Sequence, residues 1–397
     1  MKRQHLLKSI TGVVAMIAGL AWSGSSNAEI LAMLNYESKS PDALKAFKSP
    51  VPGTTRTEGI AVIDVNPASP NYGKIVETIP LPPDLVAHHI FYNRDASKAY
   101  VTALGKPELR VIDMSKRPFS AKTISVPDCQ VGEDVVFSDD NKRWYLTCMG
   151  SSKLIIGDAV ADTPTKTVAL PKPYPHGIAI HDGIDRVLLT STVRATDLGD
   201  AGEYITAIEA STGNVLSTHK VSGKPSPSGE APVEILFVPG ANPPIAYVTN
   251  MFGGTLWTAT WNAQKKDFDV AQAFDFATVK AGVPLEIYVN GTNDKLYVTT
   301  AKPGHLHIFD IKDPAKPQLL KTIATAEGAH HVAITKDEKL AFVQNSLLNL
   351  PGMSDGSITV IDLAKGEVVG SINTLKEQGF NPNSIVLLPQ WNHPAGH

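Results

Sequence analysis

Along most of the chain, short runs of β-branched and aromatic residues alternate with turns rich in Gly, Asn, Asp and Pro. The pattern repeats. Seven segments open alike: "AHHIFYNRDASKAYVTA", "GEDVVFSDDNKRWYLTC", "PHGIAIHDGIDRVLLTS", "PVEILFVPGANPPIAYVTN", "PLEIYVNGTNDKLYVTT", "AHHVAITKDEKLAFVQN" and "PNSIVLLPQWN". In the first six, two short strands flank a turn, which predicts a hairpin. The seventh carries the first strand alone. Most copies are followed by a third strand, as in "PELRVID", "SKLIIGD" or "GSITVID", and by a shorter fourth, as in "KTISV" or "VVGSI". Four antiparallel strands recurring every ~40–55 residues predict the blades of a β-propeller.

The missing strands of the seventh copy lie at the other end of the sequence. "AEILAMLNY", "EGIAVID" and "GKIVETI" have the character of second, third and fourth strands. Three N-terminal strands plus one C-terminal strand, Asn383 to Leu388, then complete the last blade and leave no open edge. The expected fold is all-β: a seven-bladed propeller in one domain over residues 29–390, with a tail at 391–397. A β-sandwich does not account for this sevenfold register.

In a propeller, every first strand lines the central channel and starts at the same mouth. The residues at these starts therefore form a ring. In order they are His88-His89, Glu133-Asp134, His176-Gly177, Val233-Glu234, Leu285-Glu286, His330-His331 and Asn383-Ser384. Five histidines and four carboxylates converge. Blade closure groups the histidines in one sector and places Glu234 and Glu286 across from it. Neutral imidazoles suit copper, zinc, iron and nickel, and carboxylates balance their charge. His88, His89, His176, His330 and His331 are the expected ligands. Glu133, Asp134, Glu234 and Glu286 are the expected general bases or charge-balancing groups. Strand neighbours point to opposite faces, so use of both members of a pair requires that both lean inward at the mouth.

Other candidates carry less. His305 and His307 open a third strand on the same face and read as a solvated strand start. His181 belongs to the opposite mouth, and His219 ends a fourth strand without an assigned role. His393 and His397 sit in a tail expected to fray. Met353, on a long loop, is a surface methionine with the option of acting as a soft copper ligand. The long connections (residues 37–57, 192–203, 221–232 and 346–356) all fall on the histidine mouth, where long loops on a rigid scaffold carry function. Cys129 and Cys148 end neighbouring strands at that mouth, which makes a disulfide the expected pairing.

Composition narrows the setting. The 397 residues are 43% hydrophobic and 19% charged, with a formal net charge of -3. No basic surface argues for nucleic acid. Lys2, Arg3 and Lys8 precede the apolar run "ITGVVAMIAGLAW", and "SGSSNA" ends at Ala28. That is the pattern of a cleaved signal peptide over residues 1–28, so the expected location is the periplasm, without membrane insertion.

The hairpin "AYVTN" (Ala246–Asn250), with "AYVTA" and "LYVTT", resembles the YVTN family of exported propeller repeats. The ringed histidines resemble those of exported copper propellers: the catalytic domain of nitrous oxide reductase and thiocyanate dehydrogenase. The segment "AVIDVNPASPNYGKIVETIPLP" (Ala61 to Pro82) is similar to an early segment of the selenium-binding and methanethiol oxidase family. The resemblance implies one to three metal ions, copper first and zinc as the alternative. The ring holds too few histidines for a seven-histidine tetracopper cluster. The implied activity is oxidation or reduction of a small sulfur or nitrogen compound. A metal carrier that meets a delivery partner, and a non-catalytic interaction platform, use the same ring differently. Tight metal with turnover, exchangeable metal, and no metal separate the three. No GxSxG motif supports a hydrolase. The sequence assigns neither substrate, redox partner nor oligomeric state.

Overall fold

A computed structural model describes residues 29–39 and 56–393. The proposed signal peptide, most of the loop at 37–57, and His397 lie outside the described residues. Seven antiparallel sheets stand around a central channel, six of them with four strands hydrogen-bonded in sequence order. The first strands are Ala87–Tyr92, Gly132–Phe137, Pro175–His181, Pro232–Phe237, Gly282–Val289 and Ala329–Ile334 for blades 1 to 6. Blade 7 is built from Leu31–Ser38, Glu58–Asp64 and Ile75–Leu81, closed by chain from the C-terminal end.

The closing strand differs from the single run expected. It comes in two pieces, Phe380–Pro382 and Val386–Leu387, both paired with Leu31–Ser38. The ring residues Asn383 and Ser384 occupy the break. This is blade 7's version of a feature that all the blades share, described below.

Inner strands are apolar on both faces because each blade packs against two others. Met33, Ile60, Ile90, Val101 and Leu388 form one such contact, between blades 7 and 1. Outermost strands face water on one side and are polar, as in Thr163–Ala169, where five consecutive residues are exposed. Burial of these interblade surfaces supplies the main folding drive. Among the described residues, no helix is long and apolar enough to cross a membrane.

Candidate metal centre at one mouth of the channel

The hairpin register explains how both members of each pair reach the channel. In blade 1, Ala87 pairs with Ala103 and Ile90 with Val101. The first strand gains three residues while its partner gains two, so the ladder carries a one-residue bulge at His88-His89. The same bulge recurs at Glu133-Asp134, His176-Gly177, Val233-Glu234, Leu285-Glu286 and His330-His331. In blade 7 the chain runs four residues from Pro382 to Val386 against three from Tyr36 to Met33. The two-residue alternation of a strand would send one member of each pair away, and the bulge removes that constraint.

Two layers result. The first members, His88, Glu133, His176, Val233, Leu285 and His330, line a cavity on the mouth side. The second members, His89, Asp134, Glu234, Glu286 and His331, lie beneath, all buried. His88 stacks on His89 with ring centroids 3.9 Å apart. Gly177 is the second member in blade 3, and no larger residue fits there. A Cβ would stand 2.3 Å from the Val233 carbonyl oxygen and 2.8 Å from Glu234 Cα.

The lower layer is anchored, in five blades, by a threonine or glutamine near the end of the second strand. Thr102, Thr147, Thr249 and Thr299 Oγ1 accept the N–H groups of His89, Asp134, Glu234 and Glu286 at 3.0–3.2 Å. Gln344 Oε1 does the same for His331 at 3.2 Å. These side chains also reach the next blade. Thr147, Thr190 and Thr249 donate to the carbonyls of His176, Val233 and Leu285 at 2.6–2.7 Å. Asn35 closes the circle by donating to the His88 carbonyl at 2.6 Å. The threonine of the "YVT" hairpins, treated in the sequence only as a fold marker, is therefore what holds the ring. The chain enters six of the seven bulges through a left-handed residue two places ahead: Val86, Val131, Tyr174, Ala231, Val283 and Gly328. Three are valines, for which this conformation is costly and is maintained only by surrounding structure.

All nine predicted ring residues come together. His89 Nδ1 lies 2.7 Å from Asp134 Oδ1. His88 Nε2 and His176 Nε2 lie 3.3 and 3.6 Å from Glu133 Oε2. His176 Nδ1 is 3.1 Å from Glu234 Oε1, and His330 Nε2 is 3.3 Å from Glu286 Oε1. Glu234 and Glu286 thus stand beside the histidines, not across from them. The channel is too narrow at this level for separate sectors. The donor atoms fall into groups that can each surround one cation: His89, Glu286, His330 and His331; His88, Glu133 and His176; and Asp134, His176 and Glu234.

Burial sets the protonation. It lowers the His88 pKa well below the usual imidazole value, helped by the neighbouring histidines. His176 falls to about 4, with burial outweighing the attraction of Asp134. Burial, followed by repulsion from Asp134, raises Glu133 and Glu234 well above the carboxylate range. At neutral pH the two histidines present neutral lone pairs, and burial favours the protonated form of Glu133 and Glu234. His88 Nδ1 and His89 Nε2 are buried without a hydrogen-bond partner. Buried polar atoms are normally satisfied, and a cation placed among these nitrogens could supply the missing partner. Tyr288, which the sequence reading passed over, adds its hydroxyl 3.3 Å from His331 Nδ1.

Above the ring, the mouth-side cavity measures about 50 Å3 and is otherwise mostly apolar: Met149, Val193, Leu198, Met251, Leu347 and Leu350. Two of the predicted long loops supply this cover. Asn349 pins one of them by donating to the buried Glu37 carboxylate at 2.7 Å, and Arg56 pairs with Glu37 and Glu58. Cys129 and Cys148 are joined as a disulfide beside Met149. Met353 packs at the loop base, outside the cavity lining.

The remaining histidines differ in part from expectation. His307 is not solvated. It is fully buried, with its ring nitrogens 3.0 Å from Thr300 and Thr322 hydroxyls, and burial lowers its pKa to about 3. His393 is not frayed but 8% exposed, 3.2 Å from Glu338, with its backbone N–H donated to the Ile334 carbonyl. Trp391 and Asn392 dock the tail first, a tertiary contact that the local sequence does not announce. His181 lines a cavity of about 460 Å3 at the opposite mouth, as placed.

The chain matches no protein-family model and no curated protein. Solved structures do resemble it. A protein described as a hypothetical selenium-binding protein from Sulfolobus tokodaii superposes with a TM-score of 0.71 at 14% identity, covering 92% of this chain and 95% of that one. A functionally unknown protein from Desulfotomaculum acetoxidans gives 0.62 at 15%, covering 87% and 95%. Hydrazine synthase from Kuenenia stuttgartiensis gives 0.58 at 14%, covering 79% and 93%. At these identities the likeness establishes the fold. The chain is a seven-bladed β-propeller. Its particular mark is a buried ring of histidines and carboxylates able to hold metal ions.

Proposed function

We propose that this protein is an exported metalloprotein, with copper as the metal and zinc as the alternative, that oxidises or reduces a small sulfur or nitrogen compound. The carrying observation is the cluster of buried imidazoles and carboxylates, grouped so that three or four donor atoms could share one cation, at the floor of an apolar cavity. The donor set fits copper: imidazole nitrogens in the majority, with carboxylates to offset charge. Two groups share no residue and define two positions. His89, His330, His331 and Glu286 would hold one ion, and His88, His176 and Glu133 the other. A bound copper supplies one-electron redox chemistry.

The chain's own residues do the rest. His88 and His176 offer unprotonated lone pairs at neutral pH. Burial favours the proton on Glu133, which would be released as a cation binds, so metal uptake is expected to lower the pH of an unbuffered solution. Asp134 fixes the His89 ring by accepting from Nδ1. The apolar cover excludes water and admits an uncharged molecule of a few non-hydrogen atoms. That cover also favours a reaction site over a carrier, which must hand its ion to a partner. The names of two similar folds, one selenium-binding and one a hydrazine synthase, agree with a chalcogen or nitrogen compound. The disulfide and the N-terminal leader pattern support a periplasmic location.

The test is to express the full chain, recover the exported form, and measure copper and zinc per protein with optical and EPR spectra. Bound copper near two equivalents, lost when His330 and His331 are both changed to Ala, is the expected result. Unchanged metal content in that variant removes the ligand assignment.

A further inference from the structure

Beneath the lower ring is a second space, a chamber of about 20 Å3. His331 and Tyr288 form its roof, Ile90 and Ile385 its sides, and Asn392 and His393 its floor. A polar chamber of 10–15 Å3 already accommodates one water. The floor holds an unusual group. His393 is 8% exposed, and its Nδ1 is buried with no partner. Its Nε2 lies 3.2 Å from Glu338 Oε1, and Glu338 is 28% exposed at the opposite mouth. Glu338 Oε1 also accepts the Gly291 N–H at 2.8 Å, which fixes its position. With Nε2 donating to that carboxylate, Nδ1 carries a lone pair and is an acceptor, in a residue that lines the chamber.

The roof is arranged to meet it. Tyr288 Oη accepts the Val332 N–H at 3.0 Å and stands 3.3 Å from His331 Nδ1. An imidazole that binds a cation through Nε2 carries its hydrogen on Nδ1 and donates it to an outer partner. Tyr288 is the nearer partner for that hydrogen, at 3.3 Å against 3.6 Å for Glu286 Oε2. Along the strand, His331 and Ile334 are ~10 Å apart, which separates roof from floor.

We propose that the chamber is a water site, and that one water accepts from Tyr288 and donates to His393 Nδ1. The result is a continuous polar file: His331, Tyr288, water, His393, Glu338. It connects the ring to solvent at the mouth opposite the apolar cavity. Protons then reach and leave the ring on one side while an uncharged substrate uses the other. Tyr288 and His393 are positioning residues, because they act on the ring through the orientation of His331. The water site stands without any cation, whereas the effect on His331 rests on the metal reading above.

Two measurements test it. Crystals of the metal-free, full mature protein, at a resolution that shows waters, are expected to contain one ordered water within hydrogen-bond reach of Tyr288 Oη and His393 Nδ1. An empty chamber overturns the proposal. In copper(II)-loaded protein, Tyr288→Phe and His393→Phe are expected to shift the EPR hyperfine splitting and to weaken copper binding ~10-fold. His393→Gln, whose amide oxygen accepts from the water, is expected to restore both. Thermal unfolding confirms that the variants are folded. Unchanged spectra in the two Phe variants overturn the file even where the water is present. A protein that takes up no copper refutes the metal reading and leaves the water site to be judged from the metal-free crystals.

Discussion

The two layers of the ring share one backbone device and differ in almost everything else. Each bulge sends its first residue up to the cavity and its second down into the channel. The upper layer mixes His88, Glu133, His176 and His330 with Val233 and Leu285, and it lines the apolar cavity. The lower layer is polar except at Gly177, and its backbone is anchored residue by residue to threonine or glutamine. The contrast teaches a division of labour. The upper layer sets what can approach, and the lower layer is a fixed electrostatic base that holds charge.

The largest effect is expected from removing imidazoles from the base. His89→Ala combined with His331→Ala takes two of four donors from one group. Copper affinity, measured by chelator competition, should fall by more than the ~10–100-fold that loss of an outer partner costs. Leu285→Ala in the upper layer should leave it within a few-fold. Equal losses in both would dissolve the distinction between layers. Next comes Gly177→Ala. Its Cβ meets the Val233 carbonyl at 2.3 Å, so blades 3 and 4 must separate. A loss of ~3 kcal/mol in denaturant unfolding is expected.

Much of this was legible in the sequence. The sevenfold repeat, the ring closure and the nine ring residues could be aligned because blade hairpins keep a fixed register. The bulge was not legible. An extra residue in one strand leaves no mark in the hairpin sequence, since strand starts are irregular anyway. Without it, the use of both histidines of a pair looked sterically awkward. The positions of Glu234 and Glu286 were misjudged because blade order gives angles around a channel but not its width. His307 and His393 were misread for a related reason: burial of a polar residue near an element end depends on distant partners, Thr322 for one and Glu338 for the other.

The pH dependence of the metal-free protein separates two kinds of group within the upper layer. Burial holds the Glu133 pKa above the carboxylate range in the fold, while an unfolded glutamate ionises above ~4.5. Folding must then take up a proton, and stability falls as pH rises, by ~1.4 kcal/mol per unit until the raised pKa is reached. Glu133→Gln removes that cost, so its gain over the native chain should grow as pH rises above ~4.5. His176 has the opposite sign. Its pKa is about 4 in the fold and near 6.5 when unfolded, so stability is lost as pH falls through that window. His176→Gln should flatten the acid limb by ~3 kcal/mol at most. Parallel curves for both variants and the native chain would mean that water reaches these groups freely.

A smaller effect tests the anchoring. Thr102→Val keeps the shape and removes the oxygen that accepts the His89 N–H. A buried donor left without its partner costs ~1–3 kcal/mol. The loss should be accompanied by weaker copper binding, since His89 belongs to the four-donor group. Val replacement at a threonine outside the ring, such as Thr123 on an outer strand, should change stability by ~0.5 kcal/mol or less and copper not at all.

The smallest expected effect concerns the methionines, and it bears on what the upper layer is for. Met353 was the one soft donor that the sequence offered, yet it packs at the base of its loop, where its carbonyl accepts the Leu347 N–H at 2.8 Å. Met149 and Met251 line the cavity instead, among valine and leucine side chains. If the upper layer is an apolar approach and not part of the donor set, its methionines act by shape alone. Met353→Leu should then leave copper content, EPR parameters and stability unchanged, and Met251→Leu should do the same within ~1.5 kcal/mol, the tolerance of a volume-conserving swap. A sulfur-to-copper signature lost in either variant would extend the donor set upward and move the boundary between the two layers.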